Sequence, residues 1–94
     1  MLNEKGQIHI KEAVILREED DGAFLFDPGS GRICYLNGTG TMVWRLCQQT
    51  SIPEQLVDRI CSDFPEISRE QIFQDCMQFL MELQRLEFLS INAQ

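Results

Sequence analysis

The apolar pattern of this chain changes period once, at Asn37, and that change dictates the fold class. Between residues 8 and 36 the apolar residues come in short runs, IHIKEAVIL, AFLF and ICYL, separated by the turn-formers EEDDG and DPGSG. Runs of that length bounded by such clusters predict three strands of antiparallel sheet. Beyond Asn37 the apolar residues recur at helical spacing, and three helices follow. The expected architecture is therefore α+β: a three-stranded antiparallel sheet followed by three helices, an order compatible with a winged helix-turn-helix. At 94 residues, with no repeat, low-complexity tract or long linker, residues 1–94 are read as a single domain with its core within about 8–89.

Local signals place the elements. In DPGSG, Pro28 has the φ that an early turn position needs and Gly29 and Gly31 tolerate positive φ, so 23–27 and 32–36 should form a tight hairpin. EEDDG joins the first and second strands more loosely, which makes the sheet a meander. The first helix is expected over 39–48, with Met42, Val43, Leu46 and Cys47 on one face and Asn37, Thr39 and Thr41 available to cap its start. Ser51-Ile-Pro-Glu54 reads as a capping box for the second helix, with Pro53 in the first turn; Leu56, Val57, Ile60, Cys61 and Phe64 form its stripe. Phe64-Pro65 stops it. Ser68-Arg-Glu-Gln71 is a second capping box, opening a helix over 69–86.

That last helix carries two apolar rows. Ile72, Cys76, Phe79, Leu80, Leu83 and Leu86 are expected to face the core, while Phe73, Met77 and Met81 lie about 100° further round. The second row either completes a small core or walls a groove in which something binds, a use that suits methionine.

The charges exclude several functions. Eight basic against 15 acidic residues give a formal net charge of -7, which opposes contact with nucleic acid or an anionic membrane. A winged-helix DNA-binding regulator is the alternative the fold allows, but the third helix begins with Arg69 followed by Glu70 and then Asp75, a poor phosphate-binding start. No apolar run approaches the roughly 18 residues of a membrane span, and MLNEKGQIHIKEAV lacks the layout of a signal peptide, so a cytoplasmic location is expected. Cys34, Cys47, Cys61 and Cys76 are widely spaced and His9 is the single histidine, so the cysteines are read as small buried hydrophobes rather than metal ligands or disulfide partners. No nucleophile-base set or phosphate loop is present, since G-T-G at 38–40 lacks the further Gly or Lys. Neither catalysis nor a cofactor is expected. Asp75, beside Cys76 on the long helix, is a candidate charge partner for a ligand.

The segment AFLFDPGSGRICYLNGTGTMVWRL resembles the strand, D-x-x-x-G-R-x-x-x-L-N-x-T-G and Trp signature of PqqD-like proteins, the recognition elements for leader peptides of ribosomally made, post-translationally modified peptides. SIPEQLVDRICSDFP and SREQIFQDCMQFLMELQRLEFL are similar to that family's second helix and long closing helix, so the resemblance covers about 8–89. It implies a winged-helix-like, non-catalytic domain that binds a leader as an extra strand on the edge of the third strand, facing the third helix. It also implies delivery of the peptide to a modifying enzyme, foremost a radical S-adenosylmethionine enzyme, otherwise a leader peptidase or cyclase. Carried onto this chain, the edge is Arg32, Ile33, Cys34, Tyr35 and Leu36. The opposing wall is Phe73, Asp75, Cys76, Met77 and Leu80. Asn37, Thr39 and Gly40 match L-N-x-T-G and are assigned capping and the close turn, and Trp44 is assigned to the core. Cys34 and Cys76 stand where the family commonly has larger or β-branched residues. An open edge of this kind can also pair with its own copy, so a homodimer is a further expectation.

Overall fold

In the computed structural model, which describes residues 6–92, the elements are β1 (Gln7–Ile10), β2 (Ile15–Glu18), β3 (Gly22–Asp27), β4 (Arg32–Asn37), α1 (Gly38–Gln49), α2 (Pro53–Asp63), α3 (Arg69–Arg85) and β5 (Leu89–Asn92). The antiparallel meander β2-β3-β4 and the three helices after it form as the apolar pattern predicts. The first run does not stay one strand. Lys11 and Glu12 break its alternation, a turn closed by the Val14 N–H on the Lys11 carbonyl at 3.1 Å follows, and β1 leaves the meander. It pairs instead with β5, a strand the sequence reading does not include, with Ile8 opposite Ile91 and Ile10 opposite Leu89.

Asp27 locks the two halves of this strand region together. It is the one buried charged side chain among the described residues, at 1% exposure. Its carboxylate accepts from Lys11 Nζ at 2.6 Å, Ser30 Oγ at 2.8 Å and the Gly29 N–H at 3.0 Å. These donors, Lys11 foremost and Ser30 next, hold its pKa down at about 2 despite the opposing effect of burial. The β3–β4 turn is thereby tied to the corner after β1. Within that turn positive φ is taken at Gly31 alone, at 78°.

The helix starts follow local chemistry except in one case. Asn37 caps α1, its Oδ1 accepting the Gly40 N–H at 2.8 Å, while Thr41 Oγ1 donates to the Asn37 carbonyl at 2.9 Å. Ser68 caps α3 by accepting the Gln71 N–H at 3.2 Å, but the Gln71 side chain turns to Asp75 instead of closing the box. The expected box at α2 does not form. Its N-cap is Ile52, with Pro53 at the first helical position, and the Ser51 carbonyl accepts the Ile8 N–H at 2.6 Å. Docking of β1 thus holds Ser51 one residue outside the helix.

A single core joins Leu25 and Leu36 of the sheet, Trp44 of α1, Leu56 and Val57 of α2, and Cys76, Met77, Leu80 and Leu83 of α3. Met77 is buried and Phe73 partly so, whereas Met81 is exposed; the start of the second α3 row therefore completes the core. At the end of α3, Glu87 takes φ 68°, the Phe88 N–H reaches the Leu83 carbonyl at 2.9 Å and the Glu87 N–H the Gln84 carbonyl at 3.0 Å, a Schellman stop. It drives Phe88 into the core and launches β5. The four cysteines are free thiols, and burial pushes Cys47 and Cys76 up to about 12.

Candidate binding cleft

β4 is hydrogen-bonded to β3 along one edge, and its other edge has no strand partner among the described residues. Three points place α3, with the stop that follows it, beside that edge. Arg32, at the start of β4, ion-pairs with Glu87 at 3.4 Å. Midway, the half-buried Cys34 thiol is pushed up in pKa by desolvation and, secondarily, by the Glu82 carboxylate. At the far end Gly40, just inside α1, lies so near Phe79 that a Cβ there would sit 3.1 Å from the ring. A side chain at Gly40 would crowd the Phe79 ring, so the bare Cα suits the approach of α1 to α3.

At this far end the cleft widens into a cavity of about 450 Å³. Its walls are Leu36 of β4, Met42 and Val43 of α1, Ile60 and Phe64 of α2, and Ile72, Cys76 and Phe79 of α3. Asp75 is its sole charged lining residue, accepting from Gln71 Nε2 at 2.9 Å while exposed to solvent. Beyond it a shallow depression runs over Gln78 and Glu82. Glu82 is held below the usual carboxylate range by its hydrogen bonds from Arg85. The site is an apolar hollow rimmed on its helical side by carboxylates.

The residues singled out from sequence divide between the cleft and its surroundings. Tyr35, Leu36, Asp75 and Cys76 line the cavity, Cys34 faces the cleft half-buried, Ile33 is exposed, and Arg32 stands at the Glu87 end. Met77 and Leu80 are instead core residues, and Phe73 packs against the core outside the cavity lining. Ile72 and Phe79, which periodicity assigns to the core, take their place in the wall. The stripe that faces the cleft is 72, 75, 76 and 79, and its signal in the sequence is one carboxylate, Asp75, inside an otherwise apolar i, i+3, i+4, i+7 set. Thr39 lines the cavity while Thr41 makes the hydrogen bonds, and Trp44 is core. No group of three or more metal-ligating side chains occurs among the described residues. Arg69, the cation a DNA-reading α3 would need, is bound to Asp58 at 2.5 Å, and nothing in the arrangement supports nucleic-acid binding.

Comparison with known proteins gives one family match and two similar solved structures. Residues 22–89 match the family described as Coenzyme PQQ synthesis protein D (PqqD). The chain is similar to the solved structure "TbiB1 in Complex with the TbiA(beta) Leader Peptide", with 29% identity, 92% of this chain and 99% of that chain covered, and a TM-score of 0.80. It shares its fold with "Lasso peptide synthetase B1 complexed with the leader peptide", with 20% identity, 89% and 98% coverage, and a TM-score of 0.73. A search of curated proteins found no match.

Proposed function

Because the chain belongs to the PqqD family, whose match spans most of its length, we propose that it binds the leader of a ribosomally made precursor peptide by strand addition and presents it for modification. The observation that carries this reading is the free edge of β4 lying across a cleft from α3. A peptide laid there would take main-chain hydrogen bonds from Arg32, Ile33, Cys34, Tyr35 and Leu36, which supply affinity, while alternate side chains enter the cleft and supply selectivity. Apolar residues of the leader would fill the cavity between Leu36, Cys76, Ile72 and Phe79, and a Lys or Arg would meet Asp75. Phe73, Met77 and Leu80 support that wall from behind. The likeness to TbiB1, which is bound to a leader peptide, supports this use of the fold.

The chain on this reading carries out no chemistry of its own. It hands the peptide to a modifying enzyme, foremost a radical S-adenosylmethionine enzyme, otherwise a leader peptidase or cyclase, in the cytoplasm. One added strand with two or three apolar anchors suggests micromolar affinity or better, about -8 kcal/mol. A backbone amide NMR titration with the leader of the precursor encoded beside this chain tests it. Shifts confined to 32–36 and 72–79 are expected, with none on adding a short DNA duplex. An unresponsive β4 edge would overturn the reading.

A further inference from the structure

The core takes one face of the β2-β3-β4 sheet, and among the described residues nothing covers the other, yet that face is apolar. By register Ile15, Phe26 and Ile33 form one cross-strand row, and Phe24 and Tyr35 sit in the next, their ring centroids 5.4 Å apart at an edge-on angle of 63°. All five are exposed, Ile33 at 66% and Ile15 at 53%. Five such neighbours make a patch in the range of the largest on an ordinary monomer, roughly 300–600 Å² and often functional. The cation in this array, Arg17 opposite Phe24, is paired with Glu19 at 3.3 Å. Beyond Glu18, which closes β2 and pairs with Arg45, the residues Glu19, Asp20 and Asp21 form the turn at one end. The patch is therefore apolar with an acidic rim.

We propose that this outer sheet face docks the enzyme that acts on the bound peptide, through an apolar surface with a basic rim. The inference rests on the leader-binding reading, and two observations choose this occupant. Ile33 and Tyr35 belong both to the patch and to the edge strand β4. A strand added to that edge continues the sheet, so its side chains facing away from the cleft extend the same surface by one row. An enzyme seated there touches carrier and peptide in one contact. Charge disfavours a second copy, because each copy carries -7 and the two would repel.

The test uses the purified chain, the leader of its precursor and the enzyme that modifies that precursor, with the double variant Ile15→Ser/Phe26→Ser. Ile15 lies on β2 at the opposite edge from the peptide, and Phe26 on the central strand. The variant should keep leader affinity within about twofold and lose at least about thirtyfold in affinity for the enzyme, the scale of an interface hot spot. In the wild type, the Ile15 methyl resonance should shift on adding enzyme, a readout that holds even where the variant does not fold. Unchanged enzyme affinity in a folded variant, or an unmoved Ile15 methyl, overturns the proposal. So does a wild-type dimer that the variant converts to monomer. Enzyme binding is measured with and without leader, so a wild type that ignores the leader but binds enzyme through this patch would remove the leader reading and leave the docking face standing.

Discussion

The two faces of the β2-β3-β4 sheet are built from neighbouring residues of the same strands, and both are apolar. On the inner face Ala23, Leu25 and Leu36 are sealed beneath the helices; on the outer face Phe24, Phe26, Ile33 and Tyr35 meet solvent. Hydrophobicity does not separate them. Parity does, because residues i and i+2 share a face and the helices cover only one. The inner set contributes to folding, and the outer set is free to contribute to binding.

The sharpest way to break that comparison is Leu25→Ala. Leu25 is wholly buried at the centre of the sheet, opposite Cys34 and Leu16. Truncation should cost about 3 kcal/mol, and lower the midpoint of thermal unfolding by about 15 °C. Next comes Gly22→Ala, at the start of β3 opposite Asn37. A Cβ there would collide with the Leu36 carbonyl oxygen and stand 2.7 Å from the Tyr35 hydroxyl, so the strands must splay. Urea unfolding should register a loss of about 2 kcal/mol, as for other overpacked sites. Peptide affinity should fall with it, since Tyr35 and Leu36 border the cleft.

Asp27, of inner parity, gives a pH signature the outer face lacks. Its native pKa of about 2 lies below its ordinary value of 3.8, so the native state holds the carboxylate charged where the unfolded chain has begun to take up a proton. Its stabilisation is complete above about pH 4, and is lost as pH falls toward about 2. Asp27→Asn should be less stable at neutral pH, having lost the Lys11 ion pair, and should lack this contribution to the acid limb. Denaturant midpoints measured from pH 2 to 7 for both proteins check it.

Much of this was legible in the sequence because it is local. The change of period at Asn37, the hairpin around DPGSG, the caps at Asn37 and Ser68 and the stop at Phe64-Pro65 depend on residues within a few positions of one another. What was not legible depends on distant partners. IHIKEAVIL splits because β5, some eighty residues on, offers β1 a better partner than the meander, and the same docking pre-empts the box at Ser51. On α3 the two apolar rows were both visible, but which stripe meets the cleft follows from how α1 and α2 pack. Gly40 against Phe79 and the Glu87 stop bear on that orientation; the close turn at Gly40 is expected from the sequence, but its partner on α3 is not. Hence Asp75 and Cys76 fall in the cleft while Met77 and Leu80 fall behind it.

The smallest effect is the most discriminating. Ile15→Ser removes an outer-face side chain that already meets water over half its surface and whose neighbours are Phe26 and solvent. What it loses is a cross-strand pair and some strand preference, about 0.5–1 kcal/mol, or a fall of about 3–6 °C in the unfolding midpoint. That is several times less than Leu25→Ala, its near neighbour one strand away and on the opposite face. Equal losses would mean that the outer row is packed as part of the folding core, leaving no spare apolar surface for an enzyme to cover. A small loss in stability beside a large loss in enzyme binding separates the two faces by what each contributes.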